Sequence, residues 1–458
     1  MKNKNNARKI RIKGLPPRSI FNVSTTGEIL VSENKTSQYG IDMIIHMQLK
    51  REFDLDTVWR AYESLIRDHQ VFRSLWCEEE DGTGFTWYAF TPEETEEYLA
   101  MQREFLSKYW NKEEILATDN MYAHIPIPFR ICMSSPTSII FFMNHIYMNA
   151  LAGSSWSDIF FSYYEKIEGR GTEDDINKRF KVHTQKMPSW LWLLNIIQFP
   201  YRLAQTYLWL KKFIYESGPN DCESPSYYRK YPDISNKRHF YKQHVFDSER
   251  TKKILADSKN TGMTITQYLM KYTADAFFEH EKKKNRLFIY LPVDCHYRVP
   301  DVSILSPGNY VGSAWVQLFR GRPIKEQLQR QWKWFKKDIP YWLYVLMNIT
   351  MRNKRKYRAE MIESKRRAVF DGGNIANASL VFSSIGVSSR FPVVERNAET
   401  VGFFSRIMNL PILTFGTLNG RLTCCIGAPE SHCNVKVLER IIDRVVQDLY
   451  ARADEILQ

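Results

Sequence analysis

A chain of 458 residues exceeds what one compact core accommodates and fits two domains. With 44% hydrophobic and 25% charged residues it is ordinary globular material, though 14% aromatic is high. The formal net charge of +13, from 64 basic against 51 acidic residues, favours phosphates, an acidic protein or an anionic membrane surface as partners. No RRM, zinc-finger or helix-turn-helix signature directs that charge toward nucleic acid.

The N-terminal MKNKNNARKIRIKG is basic with no apolar core behind it, so no secretion signal is predicted; it reads as a solvated arm or a weak electrostatic contact to lipid or acidic protein. Residues 28 to 50 alternate and end in a strand. Phe53 to Trp76 reads as a long amphipathic helix entering a strand, with Asp54 or Asp56 serving its start. His69, near its end, reads as structural. An acidic, polar helix follows over Thr91 to Asn111. Ile125 to Asn144 holds two strands, IPIPFRICM and SIIFFMN, separated by a Ser-Ser-Pro-Thr turn.

The first domain is organised around Ser138 to Ile167. Ile139 to Met143 is the short apolar run of a buried strand, followed by Asn144 and His145 and then by Ala-Leu-Ala-Gly-Ser-Ser. Trp156, Ile159, Phe160, Tyr163, Tyr164 and Ile167 form one apolar helical stripe, and Ser155 with Asp158 reads as a capping-box start. His145 thus lies where a core strand ends and the chain turns. Either it faces a cavity or it is a core histidine bonded to backbone.

Two aromatic segments follow. Pro188 to Tyr215 is rich in Trp, Leu and Tyr but interrupted by Asn195, Gln198, Pro200, Arg202 and Gln205. Ile339 to Met351 is flanked by Lys336, Lys337 and the basic run Arg352 to Arg358. Neither reaches the roughly 20 uninterrupted apolar residues of a spanning helix. Two readings stay open: core or crossover helices with basic ends, or surfaces resting in a membrane interface. Asn220 to Asn236 reads as a linker. The second domain repeats the logic: strands at HFYKQHVF, RLFIYLPVD and YVGSAWVQLF, helices over Asp247 to Ser258, Thr264 to Glu281 and Pro323 to Lys337. Late strands fall over Ala378 to Ser384, Gly402 to Met408 and Leu422 to Ile426, before an amphipathic closing helix, Val435 to Ile456. Intermixed strands and helices in two similar halves argue α/β architecture. The seven cysteines (77, 132, 222, 295, 424, 425 and 433) lack a repeating framework or a Cys-x-x-Cys pair, which argues against zinc or thiol-redox chemistry and for reduced, cytoplasmic thiols.

Asn144-His145-Ile146-Tyr147-Met148-Asn149-Ala150 resembles, in degenerate form, the His-His-x-x-x-Asp-Gly motif of the chloramphenicol-acetyltransferase-like acyltransferases. That superfamily includes condensation domains, alcohol acetyltransferases, polyketide-associated acyltransferases and wax-ester synthases. Asp68-His69-Gln70-Val71-Phe72-Arg73 is similar to the end of its first helix, and Gly262 to Leu269 to its Gly-x-Thr helix start. Leu291-Pro292-Val293-Asp294 and Pro307-Gly308-Asn309-Tyr310-Val311-Gly312 resemble its later core strand and Gly-Asn turn, so the likeness extends over nearly the whole chain. It implies two halves in a V with an inter-domain tunnel, divided as residues 1–185, an aromatic crossover and linker at 186–236, and 237–458.

The resemblance also implies acyl transfer from a thioester, an acyl-CoA or a phosphopantetheinyl group on an acidic carrier protein, to a hydroxyl or amine. No tightly bound cofactor and no metal is implied. His145 takes the place of the general base, which must be neutral and within reach of the acceptor's proton. Asn144 stands for a first histidine that is not the base. Asn149 stands for an aspartate that in the family pairs with an arginine, and Cys295 or His296 stands where that arginine is expected. An Asn149–His296 hydrogen bond would then hold the loop. Ala150, in place of glycine, removes easy access to positive φ. Ser383 or Ser384, in a stretch similar to the family's Phe-Ser-Asn-x-Gly, is either an oxyanion donor or a strand-end serine bonded to backbone. Asn309 is a turn residue or a substrate contact. The aromatic segments favour an apolar small-molecule or lipid acceptor. Three functions remain open: an acyltransferase, a condensation-domain-like binding or scaffold protein without turnover, and a peripheral membrane protein at an anionic surface.

Overall fold

The computed structural model describes residues 9–10, 42–78, 85–118, 128–145, 147–217, 225–229, 233, 235–236, 238–352, 379–387, 390–406 and 410–455. The first stretch contains β1 (Lys9–Ile10), β2 (Asp42–Leu49), α1 (Leu55–Asp68), β3 (Ser74–Glu78), β4 (Phe85–Ala89), α2 (Pro92–Phe105) and α3 (Lys112–Thr118). After it come β5 (Phe129–Ser135), β6 (Ser138–Asn144), α4 (Ala150–Ile167), α5 (Glu173–His183) and α6 (Leu191–Ser217). Local chemistry sets several starts. Asp54 accepts from Thr57 N at α1, and Thr91 with Glu94 and Thr172 with Asp175 close capping boxes at α2 and α5. Within Phe53 to Trp76, expected as a helix entering a strand, the helix ends at Asp68. Beyond a short 3-10 turn at Gln70–Arg73 the chain enters β3, which pairs with β4. Two residues of the basic arm, β1, add an edge strand to that hairpin.

The chain then runs through β7 (His239–Val245), α7 (Ser248–Asn260), α8 (Ile265–His280), β8 (Arg286–Asp294), β9 (Val311–Phe319), α9 (Ile324–Phe335) and α10 (Ile339–Arg352). It closes with β10 (Leu380–Val387), α11 (Pro392–Asn397), β11 (Ala398–Ser405), β12 (Ile412–Leu418), β13 (Arg421–Pro429) and α12 (Val435–Glu455). The sequence reading has no counterpart of β4 or β12. The basic run beyond Arg352 lies outside the described residues.

These elements form two compact units that are interleaved in sequence. The first takes the described residues up to Trp192, then Asp294–Val311 and Val387–Ser405; the second takes Leu193–Val293, Gly312–Gly386 and the remainder from Arg406. The first change of unit falls inside the stretch 186–236 expected to divide the chain. The last return to the first unit carries β11, which pairs with β2.

The first unit is built on an antiparallel sheet in the order β11-β2-β6-β5. Every residue of β6 is buried. Phe141 sets its ring 5.5 Å from Phe160 and 5.9 Å from Phe161, so α4 covers the sheet with aromatic edges. Burying each such ring contributes about 2–3 kcal/mol.

The second unit has a six-stranded mixed sheet, β7-β13-β12-β10-β8-β9. Its core comes from alternate strand positions, as in Leu287, Ile289 and Leu291 of β8 or Ala314, Val316 and Leu318 of β9. Helical stripes meet them, as in Leu438, Ile442, Val445 and Leu449 of α12. The stretch read as a linker is tied down where it is described: Arg229 N donates to His432 O at 2.8 Å, and the Tyr227 hydroxyl donates to Ser379 O. The two aromatic segments form helices of this unit. Pro200 sits inside α6 without ending it, and Trp209, Ile339 and Leu343 pack together. Trp342 is fully buried, which assigns α10 to the core.

Candidate active site

The local chain explains where His145 is presented. β6 stays paired to its last residue, with Asp42 in register opposite Asn144. The Asn144 backbone N–H donates to Pro128 O at 3.1 Å, and its carbonyl accepts from Tyr147 N at 3.0 Å. α4 then begins at Ala150 with Asn149 as its cap, the Asn149 Oδ1 accepting from Ala152 N at 2.9 Å. His145 therefore occupies a short turn pinned at both ends. The start expected at Ser155 and Asp158 is displaced: both lie inside α4, because Ala-Leu-Ala-Gly is itself helical. Ala150 is at the first helical position, and it is not among the residues with positive φ. The glycine freedom that Ala150 lacks is not used there.

The segment Asp294–Val311 backs this turn. Gly308 N donates to Tyr147 O at 2.9 Å. Gly308 has φ +131°, and a Cβ there would lie 3.3 Å from the Tyr310 ring, so this position requires glycine. Its neighbour Asn309, buried to 2% exposure, places Nδ2 2.9 Å from His145 Nδ1. Asn309, expected as a turn residue or substrate contact, is thus the side chain that holds the histidine. Burial lowers the His145 imidazole to about 4, against the opposing pull of the carbonyls of His145 and Met148. The ring is neutral at pH 7, as a base must be, at some cost in basicity.

Which ring nitrogen carries the proton follows from the amide of Asn309. If its NH2 faces Nδ1, then Nε2 bears the hydrogen. If its oxygen faces Nδ1, Nδ1–H donates and Nε2 keeps a free lone pair. Either arrangement leaves one amide atom of Asn309 without a hydrogen bond among the described residues, and only the second leaves Nε2 able to accept a proton, as a general base requires.

Asn149 and His296 do not bond to each other; both bond to Asp294. Asn149 Nδ2 donates to Asp294 Oδ1 at 2.9 Å, and His296 Nδ1 pairs with Asp294 Oδ2. His296 is also buried and donates its backbone N–H to the same carboxylate at 3.3 Å. The shared Asp294 carboxylate takes the place of the expected Asn149–His296 contact. The acid of this pairing has moved to the later strand, and the motif position supplies the donor.

A buried carboxylate fixes the far side of α4. Asp158, with no exposure, accepts from Val393 N at 2.9 Å and Val394 N at 3.0 Å, capping α11, and lies 3.3 Å from His183 Nε2. Glu165, further along α4, binds Arg396 and Asn397. Spacing alone cannot reveal such partners. His69 stacks on Phe180 and packs against Trp156, as a structural residue does. Ser383 and Ser384 lie half-buried on β10 in the second unit. Cys295 is fully buried.

No protein-family model matches the sequence, and no curated protein does. Solved structures do. The chain is similar to the trichothecene 15-O-acetyltransferase of Fusarium sporotrichioides, with 10% identity, TM-score 0.60, and coverage of 93% of this chain and 94% of that one. Polyketide synthase associated protein 5 of Mycobacterium tuberculosis matches at 13% identity and TM-score 0.56, over 94% of this chain and 98% of that one. The starter condensation domain of rhizomide synthetase, solved as a mutant with C8-CoA, matches at 12% identity and TM-score 0.55, over 94% of each chain. Acyltransferases and condensation domains are thus its structural neighbours, and the chain has the chloramphenicol-acetyltransferase-like fold that they share.

Proposed function

We propose that the protein transfers an acyl group from a thioester, acyl-CoA or an acylated carrier protein, to the hydroxyl or amine of an apolar acceptor. The observation that carries this reading is His145, neutral and held through Nδ1 by Asn309 on a turn pinned at both ends. With Nδ1–H bonded to the Asn309 oxygen, Nε2 removes the acceptor's proton as the acceptor oxygen or nitrogen attacks the thioester carbonyl. The C–O or C–N bond forms, and the carbonyl electrons move onto oxygen. Collapse of this tetrahedral species breaks the C–S bond, and the imidazolium returns its proton to the departing thiolate. The resemblance assigns the oxyanion donor to Ser383 or Ser384. Asn149, Asp294 and His296 act through the turn and are positioning residues. The net positive charge suits coenzyme A phosphates or an acidic carrier, and an apolar acceptor is most directly met by a cytoplasmic protein resting on an anionic membrane surface.

Thiol release from a panel of acyl-CoAs of increasing chain length, with and without alcohol and amine acceptors, tests the proposal. Acceptor-dependent release supports it. A second reading, a binding or scaffold protein, is favoured by Asn149 in place of the motif acid. It predicts saturable thioester binding with no release.

A further inference from the structure

α6 carries an apolar face to solvent. Between Leu193 and Leu208 several polar side chains point into the second unit while a run of apolar ones is exposed, with Leu191 and Trp209 buried beyond its two ends. Asn195 is fully buried, its Nδ2 donating to the Tyr341 hydroxyl at 3.0 Å, and Thr206 is equally buried. Arg202 donates to the Lys337 carbonyl at 3.3 Å. On the opposite face Leu193, Ile196, Ile197, Tyr201, Tyr207 and Leu208 are exposed, Ile197 by 67% and Tyr201 by 64%. Pro200 and Ala204 are exposed between them. These positions recur at the helical period, so they make one stripe, roughly 22 Å long at 1.5 Å per residue. The same side opens into a groove of about 400 Å³ lined by Phe199, Pro200, Leu203, Ala204, Tyr207 and Leu346.

We infer that this face of α6 lies in the headgroup region of an anionic lipid bilayer, which names the surface behind the membrane element of the function proposed above. Two observations choose lipid over protein. A protein interface carries about one hydrogen bond per 100–200 Å², whereas this stripe offers no polar group beyond tyrosine hydroxyls, one of which, at Tyr201, already accepts from Gln205. Its rim is cationic: exposed Lys211 and Lys212 end the stripe. The Arg202–Lys337 bond sets the end of α9, with exposed Lys333 and Lys336, beside the middle of α6. Apolar side chains below and lysines toward phosphate are the arrangement of an in-plane helix. No helix among the described residues is long and apolar enough to cross a membrane, so the helix lies along the surface.

Flotation of the full chain with vesicles of phosphatidylcholine and phosphatidylglycerol, against pure phosphatidylcholine, tests this. Wild type should float with the anionic vesicles, less with the neutral ones, and less as salt rises. The double variant Ile197→Glu, Leu208→Glu should lose vesicle binding by on the order of 100-fold, each buried apolar side chain being worth about tenfold. Its melting temperature should stay unchanged, since both side chains face solvent. Wild type that ignores anionic vesicles, or a double variant that binds like wild type, overturns the inference. So does a wild-type dimer that the double variant dissolves, because a second copy then covers the stripe. Thiol release from a short, water-soluble acyl-CoA, measured without vesicles, should be unaffected by the double variant. Failure of vesicle binding with that activity intact sinks this inference alone, and absence of that activity in wild type sinks acyl transfer alone.

Discussion

Asn149→Asp restores the acid found at this place in the family motif and should damage this protein. The cap on α4 survives, since a carboxylate accepts from Ala152 N as the amide oxygen does. The donor to Asp294 does not: an NH2 at 2.9 Å becomes an oxygen facing an oxygen. Two unit charges about 4 Å apart repel by roughly 4 kcal/mol at an effective dielectric of 20. The Asp294 side chain is 30% exposed, so water and proton uptake relieve part of this. The expected loss is about 2–3 kcal/mol at pH 7. Its sign with pH follows from the pair: repulsion raises the pair's titration above the ordinary carboxylate range. The folded variant then binds more protons than the unfolded chain, and stability falls as pH rises through about 4. Asn149→Asp with Asp294→Asn should recover most of the loss. Asn at 294 would donate Nδ2 to Asp at 149 and turn Oδ1 toward His296. Urea unfolding of the two single variants and the double at pH 7 and pH 5 is the assay. Additive losses, or a single variant as stable as wild type, would refute the account of how the turn is held.

Burial holds His145 and His69 to about 4, below the ordinary 6.5. The unfolded chain therefore binds more protons than the folded one between these values. Each histidine should cost up to about 3 kcal/mol of stability as pH falls from about 6.5 to about 4, with nothing lost above. Denaturant midpoints from pH 4 to 8, compared with those of His69→Gln, check this. Asn309→Leu removes the partner of His145 Nδ1; kcat should fall about 10- to 100-fold with KM for thioester little changed, and Asn309→Asp should restore part of it. Asp158→Ala leaves His183 and the N–H groups of Val393 and Val394 without their acceptor; calorimetry should show a loss of about 3–5 kcal/mol.

Local features were legible where the chain writes them locally. Asp54 at the start of α1, the buried run of β6 and the stripes of α8 and α12 follow from caps and periods. Family likeness rested on short motifs in order, and the fold of the structural neighbours agrees with it. Less legible were elements whose pattern is broken: β12, ILTFGTL, carries a glycine and two threonines among its apolar residues and is fully buried all the same. α6 shows the opposite failure. Asn195 and Arg202 read as breaks in an apolar segment, while in space they face the protein. Long-range pairing was the least legible. Asn309 reaches His145 and Asp294 reaches Asn149 through tertiary folding that no spacing encodes. The exchange of acid and donor between Asn149 and Asp294 leaves both sequence positions individually unremarkable.

Turnover of thioester by wild type and by His145→Ala, under matched folding, addresses the central claim. Wild type should release thiol in an acceptor-dependent way. Turnover should fall by about 100- to 10,000-fold in His145→Ala, the worth of a positioned base, while circular dichroism and melting remain those of a folded protein. Equal turnover by the two proteins would remove His145 from the chemistry, and a wild type that binds thioesters without releasing thiol would show that the fold serves binding alone.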